Sequence, residues 1–354
     1  MGQVLSFANA QARGGRGNVS NLIDSFASFR RERLDVLWLK ENAELLNVLE
    51  TSDCKIKECD LSQLLPFYEG SLRHLNFFRQ YYRFILSICL DLEALGVPGE
   101  RGAVMAEWIA GQGVAESELS DLQRAEARRL LARRGVDLNG TEGLSDRLRA
   151  FMRNSTAFAV PNRKAAYELT HVVFYLSEYG RAPLALDPEE RQSLLFAGLI
   201  AYLDQDADLL AEICIALRFC GEQPPADWQG WLEQHTRGFA LQEGQGHGGM
   251  DDYHPYLMCN WLQLQVGREA FSHAQCRGMI RFDGPGRLGA LRGVSMALYT
   301  LLDQGRGGWS HLRSQLLGVL SAEEAAILRG AEGSTEVFEP FFETFARFGQ
   351  VGAA

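Results

Sequence analysis

The sequence predicts an all-α protein of about fourteen helices. Apolar residues recur at spacings of three and four through most of the 354-residue chain, as they do on the buried face of a helix. Alternating runs of Val, Ile and Thr, which would indicate strands, hardly occur. Three helical runs end at a glycine, which is typical of helix C-termini: Leu95-Gly96, Tyr179-Gly180 and Cys220-Gly221. No fixed 34- or 40-residue repeat is visible, so an α/α toroid or an irregular helical bundle is favoured over a regular solenoid.

The sequence predicts a short N-terminal arm followed by one long helical region. Residues 1–17 are rich in Gly, Ala, Gln and Arg and predict a flexible arm. Helical patterning starts at Asn18, and Ser71–Leu95 is predicted as one long helix that stops before Gly96. No sharp linker follows, so residues 18–354 are expected to form a single large helical domain, less regular over 111–160. Further helices are predicted at about 100–110, 117–133, 144–154, 162–179, 188–203, 207–219, 227–238, 255–266, 288–303, 309–318, 322–329 and 335–348.

Composition excludes several classes of function. The formal net charge of −10 repels phosphate backbones, so no nucleic-acid partner is expected. The longest apolar runs, such as Phe84–Leu92, are far shorter than the roughly 20 residues that span a bilayer, so no membrane span is expected. The seven cysteines show no disulfide framework or zinc-finger spacing and predict reduced thiols in a cytoplasmic protein.

The first motif with chemical potential lies on the predicted helix 162–179. Glu168, His171, Tyr175 and Glu178 follow one another at steps of three, four and three, apart from the apolar stripe. Glu-x-x-His is the half-motif that helical di-iron sites use twice, and here one copy is present. Glu168 and His171 are therefore candidate metal ligands, with Tyr175 as a supporting hydrogen-bonding group. The alternative is a solvated surface stripe.

The second motif is a run of acids from Asp204 to Glu212. If one helix spans it, Asp204, Asp208 and Glu212 share a face and repel each other by a few tenths of a kcal/mol per pair. We therefore expect Asp208 and Glu212 to point inward, with a histidine, an arginine or a metal ion compensating their charge. The alternative is that Asp204 or Asp206 caps a new helix and Asp208 lies in its first turn.

The third motif is Asp251-Asp252-Tyr253-His254-Pro255-Tyr256. Proline suits the first position of a helix, which predicts His254 at the N-cap. Asp252 and His254 would then line a cleft, and ordinary capping with an exposed histidine is the alternative. The preceding Gly244–Gly249 loop formally matches GxGxxG, but no strand is predicted before it, so no nucleotide cofactor is expected.

Four segments resemble a family of uncharacterised bacterial all-helical proteins associated with specialised-metabolite gene clusters. They are Arg83–Gly96, Tyr167–Gly180, Asp206–Gly221 and Asp251–Met258. The start Tyr253–Tyr256 is also similar to inner-helix starts in α/α toroids of the terpenoid-cyclase type. The family resemblance supplies no activity but implies that six residues belong to one pattern: Glu168, His171, Asp208, Glu212, Asp252 and His254.

The leading hypothesis is a bacterial biosynthetic enzyme acting on a small-molecule or carrier-bound substrate. His171, His254 and Glu168 would hold iron, manganese or zinc, since two imidazoles and one carboxylate leave coordination positions open. The same residues without metal would act as an acid–base pair, with His171 oriented by Glu168. The alternative function is a non-catalytic helical protein that binds a carrier protein, a peptide or a small apolar ligand. Convergence of the six polar side chains would favour the enzyme.

Overall fold

Helices dominate the computed structural model, which describes residues 16–244, 250–273, 278–301 and 308–347. Helix makes up 68% of these residues, and the all-α prediction is confirmed. The closed toroidal arrangement stays a prediction. Over the described ranges the α-helices are α1 (Arg16–Ser28), α2 (Val36–Thr51), α3 (Leu65–Phe77), α4 (Tyr82–Ala94), α5 (Arg101–Gly111), α6 (Asp121–Ala132), α7 (Leu144–Met152), α8 (Ser155–Phe158), α9 (Arg163–Leu176), α10 (Pro188–Leu203), α11 (Ala207–Phe219), α12 (Ala226–Arg237), α13 (Tyr253–Gln265), α14 (Leu291–Leu301), α15 (Trp309–Val319), α16 (Ala322–Ser334) and α17 (Phe338–Arg347).

Short 3₁₀ helices at Glu58–Leu64, Arg79–Tyr81 and Ala115–Ser117 connect some of these elements. None of the described helices combines the length and the hydropathy that crossing a membrane requires. The predicted arm falls mostly outside the described residues, and helix α1 starts at Arg16, two residues before the predicted start.

The predicted single helix Ser71–Leu95 is wrong, because the structure divides it in two. Helix α3 ends at Phe77, Phe78 takes a non-helical conformation, and α4 starts at Tyr82 after a 3₁₀ turn. Leu75 on one side of the break and Tyr82 on the other are both buried in the same core. Since two helices that pack on one core share its apolar spacing, the sequence period continues across the break.

Helix α11 lies in the centre of the core and positions the polar residues described below. Its residues from Ala207 to Leu217 are all buried, as expected for a helix that is apolar nearly all round. It packs against α13, α10, α9 and α12. Polar side chains on such a helix lie inside the protein and require partners on the surrounding helices.

A two-stranded antiparallel sheet was not predicted. Strand β1 (Ala240–Glu243) pairs with β2 (Ile280–Asp283), with Leu241 opposite Phe282. Four residues per strand are too few to give a clear alternating pattern. Strand β1 also lies directly before the Gly244–Gly249 loop, where no strand was expected, and residues 245–249 are outside the described ranges.

The buried side chain of Arg30 ties this sheet to the start of α13. Its guanidinium donates to both carboxylate oxygens of Asp251 at 2.7 and 2.8 Å and to the carbonyl of Ile280 at 2.6 Å. It also pairs with the buried Glu41 at 2.8 Å. Bidentate arginine pairs are among the most directional polar contacts, so Arg30 fixes where α13 begins.

Candidate His and carboxylate site

Two buried acids stand one turn apart near the start of α11. Helix α10 ends at Leu203, Gln205 adopts a left-handed conformation with φ 52°, and Asp206 caps α11 by accepting from the Leu209 amide. The separate helices predicted at 188–203 and 207–219 are therefore confirmed, and the capping alternative applies to Asp206. Asp208 and Glu212 still lie four residues apart within α11, and both are buried.

Helix α13 brings a histidine to these acids. It begins at Tyr253 with Asp252 as the N-cap residue, so the prediction of His254 at the N-cap is wrong. Pro255 is tolerated as the third residue of α13 because the first amides of a helix have no intrahelical acceptor. His254 thus lies in the first turn of α13, and its Nδ1 is 2.8 Å from Asp208 Oδ1.

Four side chains form what we call the His–carboxylate cluster: Asp208, Glu212, His254 and His171. The first three each offer a ligand atom, and these atoms lie within 4.8 Å of one another. His254 Nε2 is 4.0 Å from Glu212 Oε1, and His171 Nδ1 is 3.9 Å from Glu212 Oε2. His171 Nδ1 is also 2.8 Å from the carbonyl of Tyr167, a contact that places the proton on Nδ1 and leaves Nε2 as the basic nitrogen.

Two hydroxyl groups of α9, which sequence reasoning missed, orient the carboxylates. Tyr167 donates to Asp208 Oδ2 at 2.7 Å, and Thr170 donates to Glu212 Oε2 at 2.6 Å. Each carboxylate therefore has one oxygen held by a hydroxyl and the other near His254. Fixed carboxylates of this kind keep a site preorganised.

A third acid, Glu44 of α2, reaches the other side of His254. Its Oε1 is 3.8 Å from His254 Nε2, and its Oε2 accepts a hydrogen bond from the Tyr253 hydroxyl at 2.9 Å. Lys40 pairs with Glu44 at 3.1 Å and donates to the same hydroxyl at 3.0 Å. Glu44 precedes His254 by more than two hundred residues, and no local pattern marks it as a partner.

Three of the predicted site residues lie apart from the cluster. Glu168 is more than one-third exposed and faces Lys164 at 3.8 Å. Asp252 is exposed and accepts a hydrogen bond from the Gly284 amide at 2.9 Å. Tyr175 is buried and packs its ring edge-on against His171, with 5.9 Å between ring centroids. The implied pattern of six residues therefore separates into four that converge and two, Glu168 and Asp252, that do not.

Burial and charge shift the pKa values of the cluster in opposite directions. Burial by itself lowers the pKa of His254, but the negative charges of Asp208 and Glu44 outweigh it and raise this pKa to about 10. Burial raises the pKa of Glu212. Burial also acts to raise the pKa of Asp208, but the charge and hydrogen bond of His254 lower it overall. At neutral pH the cluster thus holds an Asp208–imidazolium ion pair.

The two imidazoles connect the cluster to solvent. The side chains of His254 and His171 are 23% and 36% exposed, whereas those of Asp208 and Glu212 are 8% and 2% exposed. The acids form a buried floor and the histidines form the rim.

Comparison with known proteins places the chain in one family. A family model described as "Domain of unknown function (DUF6902)" matches residues 1–348, and the chain belongs to that family. No curated protein and no solved structure matches the chain.

Proposed function

We propose that the His–carboxylate cluster is a divalent metal centre and that the chain is a metal-dependent enzyme. The observation that carries the proposal is the convergence of Asp208, Glu212 and His254 from two helices, with ligand atoms within 4.8 Å of one another. Imidazole and carboxylate together suit zinc, iron or manganese. The partly exposed side chains of His254 and His171 connect this place to solvent.

The charge balance of the cluster supports a cation at this place. Two buried carboxylates of the same helix are costly unless a positive charge compensates them. Without a metal, the compensating charge is the proton on His254, whose pKa of about 10 keeps it bound at neutral pH. A divalent ion would displace that proton and free Nε2 as a ligand, so metal binding should release protons.

The arrangement around His254 resembles the support that metal-binding histidines receive in general. Asp208 accepts the Nδ1 proton at 2.8 Å and so holds Nε2 as the ligand nitrogen. Nε2 is 3.8 Å from Glu44 Oε1 and 4.0 Å from Glu212 Oε1. Ligand atoms around an ion with bonds of about 2.1 Å lie about 3.0–3.4 Å apart, so small side-chain rotations would complete the coordination. His171 is the further imidazole available to the ion.

A metal in this position would act as a Lewis acid or activate a water molecule. We propose a small-molecule substrate, because the two imidazoles reach solvent while the acids beneath them are buried. The family resemblance favours a step in bacterial specialised metabolism. A non-catalytic binder does not require two buried carboxylates whose oxygens are held by hydroxyl groups, and this feature favours the enzyme.

Metal analysis of the full chain, purified without an affinity tag, tests the proposal. We expect stoichiometric zinc, iron or manganese in the wild type by elemental analysis, with proton release on titration of the chelator-treated protein. His254→Gln and Glu212→Gln should weaken the metal affinity by at least about 100-fold, since second-sphere changes alone cost about 10–100-fold. His171→Gln should have a smaller effect.

The matched control is Glu168→Gln, which changes an exposed acid on the neighbouring helix α9. This variant should bind metal like the wild type. Equal and substoichiometric metal in the wild type, His254→Gln, Glu212→Gln and Glu168→Gln would disprove the metal centre.

A further inference from the structure

An apolar pocket of about 100 Å³ lies next to the His–carboxylate cluster. Helices α8, α9, α10, α11 and α14 surround it, and alanines at three wall positions leave the space open. A polar mouth closes one side. The principal wall residues are Phe158, Ala166, Ala197, Ile200, Ala201 and Leu209.

Arg163, the first residue of α9, belongs both to the pocket and to the surroundings of the cluster. It lines the pocket, and its Nη2 is 3.1 Å from the Tyr167 hydroxyl and 3.9 Å from Asp208 Oδ2. Its side chain is about half exposed. Over the described part of the chain, its Nε and Nη1 take part in no hydrogen bond or ion pair, so two donor nitrogens remain for a ligand.

Charges of both signs meet at the pocket mouth, and each carboxylate there has a guanidinium partner. Buried Asp206 is shared by two guanidinium groups, those of Arg163 at 3.1 Å and Arg287 at 2.6 Å. Asp204 also lines the mouth, but it is half exposed and lies 3.7 Å from Arg287. Among the described residues at the mouth the acids are thus paired, and the donors that remain are Nε and Nη1 of Arg163, which a carboxylate satisfies and an ammonium does not.

We infer that the substrate of the proposed metal centre is a short aliphatic carboxylate. Its alkyl chain enters the pocket, and its carboxylate binds Arg163, which holds the head group beside Asp208 and the metal. A cavity of about 150 Å³ takes the six carbons of benzene, so this pocket takes about four. The inference names the substrate class for the proposed function and rests on it.

A series of carboxylates tests the pocket, with acetate, butyrate, pentanoate, hexanoate and octanoate as probes. Dissociation constants are measured by ligand-observed NMR on the full chain, once after chelator treatment and once with added Mn²⁺. We expect the affinity to rise about fourfold per methylene group until the pocket is full, and then to level off. Pentylamine should bind at least about tenfold more weakly than pentanoate. Equal affinity along the series, or pentylamine binding as tightly as pentanoate, would overturn the inference.

Three variants separate the contributions of pocket and head group. Ala201→Leu fills the pocket and should abolish the gain in affinity per methylene group. Ile200→Val enlarges the pocket, so the affinity should level off at a longer chain. Arg163→Gln should weaken all carboxylates by a similar factor of about ten and keep the gain per methylene. Arg191→Gln, at an exposed arginine of α10 that pairs with Glu222, is the matched control and should leave the series unchanged. A series that none of the three variants alters would also overturn the inference.

The two proposals fail in distinguishable ways. The pocket and Arg163 require no metal, so the chelator-treated protein should show the chain-length dependence. If metal does not bind but the series behaves as expected, the metal centre is wrong and the carboxylate pocket stands. If metal binds but the series is flat in both states, the substrate class is wrong and the metal centre stands.

Discussion

Two groups of buried charges in this protein are built from different cations. One, which we call the Arg–carboxylate network, joins Arg133 to Asp91 at 2.6 Å and to Glu50 at 3.4 Å, with Arg181 on Glu50 at 2.8 Å. The other is the His–carboxylate cluster. The network balances two carboxylates with two guanidinium groups, whereas the cluster balances its carboxylates with imidazoles.

The type of compensating cation decides which of the two groups can change its charge and so take part in catalysis. An arginine stays charged in proteins, so the Arg–carboxylate network is neutralised permanently and its role is structural. An imidazole can lose its proton or exchange it for a metal ion, so the charge of the cluster can change. Exposure agrees, because Arg133 is only 12% exposed and Asp91 is inaccessible, while both histidines reach solvent. Of the two groups, only the His–carboxylate cluster has compensating cations that can be replaced.

The largest expected effect comes from breaking the Arg–carboxylate network. Arg133→Met leaves Asp91 buried without its closest cation, and we expect the free energy of unfolding to fall by about 3–5 kcal/mol. Urea denaturation at pH 7 measures it. Arg153→Met is the control, since Arg153 is 42% exposed where it pairs with Asp187 and Glu190, and it should lower the free energy of unfolding much less. Similar losses in the two variants would show that the network does not stabilise the fold.

The second effect is the pH dependence contributed by His254 in the metal-free protein. Its pKa is about 10 in the folded state and about 6.5 in the unfolded chain, so its ion pair stabilises the fold fully below about pH 6.5. That contribution is lost as the pH rises towards 10, and we expect a loss of roughly 4 kcal/mol over this range. Unfolding free energies of wild type and His254→Gln, compared from pH 6 to pH 10, should converge. Parallel pH profiles for the two proteins would contradict the assigned ion pair.

The smallest expected effect on stability comes from neutralising Glu212, a buried acid of the His–carboxylate cluster. Glu212→Gln keeps an oxygen that accepts from Thr170 and removes a buried charge whose pKa burial has already raised. We expect the metal-free stability to change by less than about 1 kcal/mol. Asp91→Asn, the same change in the Arg–carboxylate network, should cost more because it leaves Arg133 short of a counter-charge. Equal losses by urea denaturation would remove the distinction between the two groups of charges.

Sequence periodicity predicts the parts of the site that are local in the chain. The four-residue spacing of Asp208 and Glu212 places both on one face of a helix, whether or not that helix extends back to Asp204. Helical patterning likewise predicts most of the helices. The break at Phe78 is missed because packing on a shared core hides it.

The rest of the site depends on contacts between helices, which spacing does not reveal. Glu44 approaches His254 only because α2 packs against α13. Glu168 is misassigned for a simpler reason. Tyr167, Thr170 and His171 form the face of α9 that contacts the cluster, and a turn of about 100° per residue directs Glu168 away from it. A polar stripe shows that a helix has a second face but not what covers that face.

The contacts of Arg30 bear on how the protein is made. Arg30 binds Asp251 and the carbonyl of Ile280, which follow it in the chain by 221 and 250 positions. At about 5–20 residues per second, a ribosome adds those 250 residues in roughly 12–50 s. During that interval the guanidinium has neither of these partners and stays hydrated. The start of α13, and with it His254, is anchored only after most of the chain has left the ribosome, so assembly of the cluster is a late step of biosynthesis.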